Sequence, residues 1–306
     1  MKNKKVAVLG GAGFIASHLV EYLVEENEVL VLDNLISGRK DFIHPKARFQ
    51  WCDITHSEHT LYKIFKGFDY VMNYCAEPYV PVSYDRPLHV FDINARAALM
   101  VMNAAQEAGV ERILQVSSAE IYGKSGGLIT EEDHARPHST YGASKLAIDT
   151  IVQTRWREAK TPAIALRQFN CLGERDILHP YIIPEIISQA MKSDVIRLGN
   201  NTFRDFMYAG DAVRMAVELL EKGEFGQVYN LGSQEGIKMY DLALMIGKIM
   251  GKELTVVEDP ARKRPWDIDH LQSDNTKIHS VIEYRPKVSF EEALERTVNS
   301  YLSYHV

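Results

Sequence analysis

Three observations in the sequence predict an α/β protein built on a doubly wound parallel sheet, with a smaller C-terminal α/β lobe. Short apolar runs alternate with segments of helical periodicity, as βαβ units require. The first apolar run leads directly into a cluster of glycines. After about residue 170 the alternation loosens, and loops rich in Gly, Pro and Asn separate the later helices. The expected division is therefore 1–170 and 171–306, with the chain free to cross between the two parts.

Val6-Ala7-Val8-Leu9 reads as the first buried strand. Ile15, Leu19, Val20 and Leu23 then recur at helical spacing. Residues 29–32 form the second strand, closed by Asp33, and residues 49–54 the third. Residues 61–65 belong to a helix and 70–74 to a fourth strand. An alanine-rich helix over 95–108 stops at Gly109, a residue suited to a helix C-terminus. Residues 112–117 make the fifth strand, a helix opens near Tyr141, and 163–167 make the sixth. Runs this short and this apolar suit a sheet covered on both faces. In the second part helices are expected over 182–191, 212–221, 240–250 and 290–302, with short strands at 228–231 and 254–257 between them.

A chain of 306 residues can build one large α/β domain or two smaller ones. Its net charge of −6 leaves no basic footprint for nucleic acid. No apolar run has the roughly 18 residues of a membrane span, and the run after the basic N-terminus is too short for a signal-peptide core. Cys52, Cys75 and Cys171 are widely spaced, with no CxxC pair, and read as reduced thiols of a cytoplasmic protein. His56 and His59 stand near a helix start without a third ligand, so no metal site is expected. His134 reads as a surface residue, and His138 as surface or within reach of a cleft edge.

Gly10-Gly11-Ala12-Gly13-Phe14-Ile15-Ala16 joins the first strand to the first helix. Glycines there permit a tight turn and close approach of the backbone to a pyrophosphate, which rests on the helix N-terminus. Asp33 ends the second strand about 20 residues on, where a carboxylate accepts hydrogen bonds from an adenosine ribose and repels a 2′-phosphate. These features make the fold Rossmann-type and the cofactor NAD rather than NADP. Gly10, Gly13, Phe14, Ile15, Asp33 and Asn34 are expected around the dinucleotide, with Asp53 and Ile54 towards the adenine. Arg39 could instead accommodate a phosphate, and Asp53 suits a helix N-cap nearly as well.

Tyr141 and Lys145 lie one turn apart on a helix whose start is marked by Pro137 and Ser139. A cation there favours the phenolate and brings a tyrosine pKa down from ~10 towards the range of a working base. Taken alone, the pair reads more simply as an amphipathic helix with a solvated lysine.

Gly10-x-x-Gly13-x-x-Ala16, Asp33, Ser118 and Tyr141-x-x-x-Lys145 together resemble the extended short-chain dehydrogenase/reductases, and within them the nucleotide-sugar epimerase/dehydratase group, over nearly the whole chain. Ala16 stands where a third glycine is usual. The resemblance implies that Ser118, in Val116-Ser117-Ser118-Ala119-Glu120-Ile121-Tyr122-Gly123, bridges the sugar C4 oxygen and Tyr141, and that Lys145 holds the nicotinamide ribose. It implies a nucleoside-diphosphate sugar held by Asn170 of Arg167-Gln168-Phe169-Asn170, Arg204 of Arg204-Asp205-Phe206-Met207-Tyr208, and Arg264 and Asp267 of Arg264-Pro265-Trp266-Asp267. Arg264 would meet a phosphate and Asp267 the nucleoside ribose; arginine stays charged and grips phosphate oxygens bidentately. On their own, Arg204 and Asp205 read as an exposed ion pair, Arg264 as part of a solvated basic run and Asn170 as a turn cap. The loop 174–184 and the stretch 197–203 are expected to face the nucleotide. A homodimer is also implied, through the helices over 95–108 and 141–157.

Members of the group share a transient oxidation at sugar C4, with the hydride passing to NAD. In its dehydratases an Asp-Glu pair directly after the catalytic Ser/Thr removes the C5 proton and helps expel the C6 hydroxyl. Here that pair is Ala119-Glu120. Glu120 is accordingly expected to act at C5 in a 4,6-dehydratase-type reaction, while the C6 acid is missing from its usual place. Glu77, after the fourth strand, resembles a glutamate of some dehydratases and is a candidate second carboxylate, or else it orients a backbone amide. A 4-epimerase, a decarboxylase with Ser-Glu at the same place, and a silent NAD-binding regulator remain alternatives. Glu120 also suits a strand-end carboxylate bound to a loop amide. Cys75 reads as a buried thiol, and Asn94 is expected to pack near the Tyr141 helix.

Overall fold

Seven parallel strands form the centre of the molecule: β1 (Lys5–Leu9), β2 (Glu28–Asp33), β3 (Arg48–Trp51), β4 (Tyr70–Asn73), β5 (Arg112–Ser118), β6 (Ala163–Gln168) and, from far along the chain, Val228–Leu231. In this computed structural model, residues 1–123, 126–177, 180–264 and 266–305 are described. Leu178 and His179 of the loop expected to face a nucleotide, and Pro265 of the Arg264-to-Asp267 stretch, lie outside the described residues. The remaining strands are β7 (Asn170–Leu172), β8 (Val195–Leu198), β9 (Phe203–Tyr208), β10 (the Val228–Leu231 strand already named), β11 (Gly236–Lys238), β12 (Thr255–Glu258) and β13 (His270–Leu271). The helices are α1 (Phe14–Leu23), α2 (Glu58–Phe65), short α3 (Val82–Asp85) and α4 (Pro87–Phe91), α5 (Ala97–Glu107), α6 (Thr140–Ala159), α7 (Ile182–Ala190), α8 (Ala209–Lys222), α9 (Met239–Ile249), short α10 (Thr276–His279) and α11 (Phe290–His305).

The large sheet runs β10-β6-β5-β4-β1-β2-β3, so the order reverses around β1 as a doubly wound sheet requires. Helices on both faces explain the apolar runs. Val6, Val8, Val31 and Met72 pack against Leu19 of α1 and Ala216 of α8 on one face. Ala7, Leu9 and Val71 pack against Leu61 of α2, Val101 of α5 and Val152 of α6 on the other. The smaller lobe carries β9 between β11 and β13, with β7 also on β9, and a separate β8–β12 pair. Its core joins Ile186 of α7, Leu242 of α9 and Leu294 of α11.

Three details differ from expectation. The strand at 228–231 does not lie among the helices of the smaller lobe; it extends the large sheet by pairing with β6, and α8 packs on α1. A single cut at residue 170 therefore does not separate the lobes. The third strand stops at Trp51, because the Asp53 carboxylate accepts from Thr55 N at 2.9 Å and Thr55 Oγ1 at 2.7 Å and turns the chain. The helix over 95–108 is entered through a wider π turn at Asp92–Arg96.

Arg204 and Asp205 are not an exposed ion pair either. Asp205 is fully buried and accepts five hydrogen bonds, from Ser233 N and Oγ, Gln234 N, and Ser273 N and Oγ, at 2.6–3.1 Å. Ser233 follows β10 of the large sheet and Ser273 follows β13 of the small one, so a single carboxylate fastens the two together. Asp205→Ala would leave several buried donors without an acceptor, each costing about 1–3 kcal/mol. Urea unfolding of that variant is expected to show a loss of about 4 kcal/mol; a loss under about 1 kcal/mol would remove Asp205 from this role.

Candidate functional site

Parallel pairing brings the C-terminal ends of β1, β4, β5 and β6 to one edge, and a cavity of about 580 Å³ opens there against the smaller lobe. Every site residue expected from the sequence lines this one cavity, from Gly10 and Asp33 through Ser118 and Tyr141 to Asn170 and Arg264. Leu198, Gly199, Asn200 and Thr202 of the 197–203 stretch line it too.

The glycine turn is held for close approach. Gly10 has φ +74°, and a Cβ there would stand 3.0 Å from Cys75 N and from the Tyr74 carbonyl carbon. Gly13 begins α1 with no side-chain cap, so the first amides of the helix are left for an anion. Asp33 is buried, and its carboxylate accepts from Ala12 N at 3.1 Å and Leu35 N at 2.8 Å, which ties the glycine turn to the end of β2. A Cβ on Gly38 would come within 2.7 Å of that carboxylate, so only glycine fits beside it. Arg39, the residue that could have taken a 2′-phosphate, pairs with Asp41 at 2.9 Å and lies over the rings of Phe42 and Tyr304. These residues fit NAD: a tight turn, an open helix N-terminus and a ribose-side carboxylate. Asp53 takes part through its turn and accepts from Asn34 Nδ2 at 3.3 Å. It does not cap α2, whose N-cap is Ser57.

β5 delivers Ser118 and α6 delivers Tyr141 and Lys145, and the two elements are clamped together. Lys145 Nζ donates to Val116 O at 2.9 Å, Ser117 Oγ donates to Lys145 O at 3.0 Å, and Asn94 Nδ2 donates to Ser144 Oγ at 3.0 Å. Lys145 Nζ lies 5.9 Å from the Tyr141 ring centre. Both side chains are more than nine-tenths buried. In the chain alone the expected lowering of the Tyr141 pKa does not occur. Burial pushes it up, a hydrogen bond with Ser118 opposes this, and the charges of Glu120 and Glu77 add to the rise. Burial likewise pushes the Lys145 ammonium down to about 8, against the pull of Asp149 and Cys75.

Glu120 follows Ser118, and its amide donates to Ser118 Oγ at 3.2 Å. Burial raises its carboxyl pKa and the charge of Asp267 adds to the rise, while Arg204, Arg264 and His138 oppose it. The guanidinium groups of the smaller lobe thus reach the same corner as the Ser118-Tyr141 pair. His138 is close enough to influence Glu120 without lining the cavity. Arg204 donates to Asp267 Oδ1 at 2.7 Å and to Ile268 O at 2.6 Å. Arg264 lies 6.0 Å from the Tyr79 ring centre, and Asn200 Oδ1 accepts from its amide at 2.8 Å. Glu77 Oε1 accepts from Tyr79 N at 3.3 Å, and Asn94 brackets the Glu77 backbone through N–H and C=O. Cys52, Cys75 and Cys171 are free thiols whose pKa values burial raises. Among the described residues no group of side chains could hold a metal ion.

Two residues behind the site escaped the sequence reading. Asp149, two turns after Tyr141 on the same helix face, pairs with Arg167 Nε at 2.8 Å, both almost wholly enclosed. Arg167 also donates to the Tyr122 hydroxyl at 2.7 Å, which in turn donates to Asn230 Oδ1 at 2.6 Å. The repeated spacing of positions 141, 145 and 149 was the available signal for Asp149.

Comparisons with known proteins match this geometry. Residues 6–232 match the NAD dependent epimerase/dehydratase family. The mouse dTDP-D-glucose 4,6-dehydratase is 31% identical over 97% of this chain and 88% of its own. The UDP-glucose 4-epimerase of Lactobacillus helveticus is 31% identical over 92% of each chain. Among solved structures, UDP-glucose 4-epimerase from Thermotoga maritima superposes with a TM-score of 0.92 at 27% identity, covering 99% of this chain and 100% of that one. The dTDP-glucose 4,6-dehydratase DesIV from Streptomyces venezuelae, solved with NAD bound, gives 0.89 at 27% identity, covering 98% and 97%. A cavity fitted to NAD at the end of a doubly wound sheet, with relatives of both reaction types along nearly its whole length, makes this chain a member of the NAD-dependent epimerase/dehydratase family.

Proposed function

We propose that the chain acts on a nucleoside-diphosphate sugar and carries it through a 4,6-dehydratase-type reaction. The observation behind this reading is Glu120, a carboxylate on the cavity wall two residues after Ser118, whose pKa burial raises while Arg204 and Arg264 oppose the rise. Bound NAD supplies the redox chemistry, taking a hydride from sugar C4 and returning it later. Tyr141 removes the C4 hydroxyl proton with Ser118 bridging the two oxygens, and Lys145 holds the nicotinamide ribose. Ketone formation acidifies the C5 proton, which Glu120 takes. Arg264 grips a phosphate, Arg204 and Asp267 act as one hydrogen-bonded unit at the nucleoside, and Asn170 meets the diphosphate. The protein works as a cytoplasmic homodimer, joined through the faces of α5 and α6.

A second reading is simple 4-epimerisation, which needs no acid or base at C5. Ala119, an apolar residue where a second carboxylate would stand, favours it, as do the relatives named UDP-glucose 4-epimerase. Product mass separates the two. Incubation with UDP-, GDP-, dTDP- and CDP-sugars is expected to yield one product lighter by a water; an unchanged mass with inverted C4 would establish the epimerase instead, and loss of carbon dioxide a decarboxylase. Protein denatured after purification is expected to release NAD, whose absence would argue against internal redox.

Glu120→Gln is expected to abolish C5 deuterium exchange while sparing C4 oxidation, with a loss of roughly 100- to 10,000-fold in exchange rate, as removal of a general base produces. Exchange that survives in this variant would take C5 chemistry away from Glu120.

A further inference from the structure

Elimination of the C6 hydroxyl requires a proton donor, and Ala119 cannot be one. We propose that Asp176, on the loop after β7, donates that proton, so that the acid and the base of the elimination come from different parts of the chain. This rests on the 4,6-dehydratase reading given above.

Asp176 lines the same cavity and is only 7% exposed. Its amide donates to Gly173 O at 3.3 Å, which fixes the turn that carries it. Among the described residues, none donates a hydrogen bond to its carboxyl. Its neighbour Arg175 is directed elsewhere, to Glu21 at 2.5 Å and to His18 Nδ1 at 3.1 Å. The titratable groups that respond to Asp176 are Cys171 and Tyr181. Tyr181 lines the same cavity, is within electrostatic reach of Tyr141 and Glu77, and its ring meets Tyr79 edge-on at 5.8 Å.

Glu120 and Asp176 share one cavity, and burial raises the pKa of both carboxyls, but only Glu120 has arginines opposing the rise. Arginines draw Glu120 towards its ionised form. Among the described residues no charged group acts on Asp176, and burial pushes its carboxyl up to about 8, which favours the protonated form near neutrality. Glu77 is less suited to the task, since its Oε1 already accepts from Tyr79 N. In the elimination, Glu120 takes the C5 proton and the C5–H electron pair becomes the C5=C6 bond. The C6–O bond breaks with its electrons on oxygen, and the Asp176 proton joins that oxygen to release water. Solvent then reprotonates Asp176, so atoms and charge balance.

Asp176→Asn keeps the shape of the neutral carboxyl but gives up no proton. With the nucleotide sugar that the wild type dehydrates, water loss is expected to fall by roughly 100-fold or more, while C5 deuterium exchange stays within about threefold. Wild-type elimination should also decline above about pH 8 while exchange does not. A variant that eliminates water at near the wild-type rate, or wild-type elimination that is level through pH 10, overturns the assignment to Asp176 and leaves the dehydratase reading intact. A wild type that loses no water from any sugar tested overturns that reading first, and the acid role with it. A measurement without substrate adds a separate check. The folded carboxyl titrates at about 8, against ~4 in the unfolded chain, so the folded state binds the extra proton between those values. The contribution of Asp176 to stability should therefore fall as pH rises from about 4 to about 8, and the Asn variant should lose that component of the slope. An identical slope in both proteins would mean that Asp176 is already ionised and would also overturn the proposal.

Discussion

The site depends on the register of parallel strands at one edge of the sheet. Leu9 pairs with Asn73 and Asn73 with Gln115, while Ser118 pairs with Gln168. Parallel strands all finish on the same side, so four loops with unrelated sequences open onto one crevice. The glycine turn leaves β1, the Glu77 loop leaves β4, Glu120 follows β5 and Asn170 follows β6. A one-residue slip would reverse which face each strand buries, so the apolar cores on both faces also fix the relative heights of the functional groups. The cross-sheet hydrogen bond from Asn73 Nδ2 to Gln115 Oε1, at 2.8 Å and fully enclosed, adds a polar constraint on the same register.

Within the crevice, burial and charge act in opposite directions and are balanced differently residue by residue. Tyr141 and Lys145 are both enclosed, and enclosure moves their pKa values apart: the phenol is made harder to ionise and the ammonium easier to neutralise. In the proposed role of Tyr141 as a base, the lysine would therefore not suffice on its own, and a phenolate would also need Ser118 and positive charge from bound partners. Asp149 completes this arrangement from behind. Its pairing with Arg167 sets a buried anion one turn beyond Lys145, and that anion favours the charged form of the ammonium.

Much of this was readable from local pattern. The glycine spacing, the strand-end Asp33 and the helical spacing of Tyr141 and Lys145 are short-range signals, and so was the alternation that predicted the sheet. What was not readable depends on distant partners. The run at 228–231 has the composition of any short strand, and nothing within it says that β6 is its neighbour. Asp205 beside Arg204 also admitted a surface ion pair as the plainer alternative, because charge is visible in sequence and burial is not; its partners lie on Ser233, Gln234 and Ser273. Asp53 shortened the third strand because its side chain competes for backbone amides, a tendency known for the residue type but decided by context. Asp176 carried no pattern at all, and its setting follows from folding the smaller lobe onto the sheet.

The carboxylate at the end of β2 has a bearing on how this fold can diverge. Asp33 lines the cavity and also carries the amides of Ala12 and Leu35, with Gly38 pressed against it. A substitution that admitted a phosphorylated dinucleotide would therefore loosen the turn that approaches the pyrophosphate. In this chain the Asp33 carboxylate and the shape of the glycine turn are coupled, so an exchange of that one side chain would also disturb the backbone at Ala12, Leu35 and Gly38.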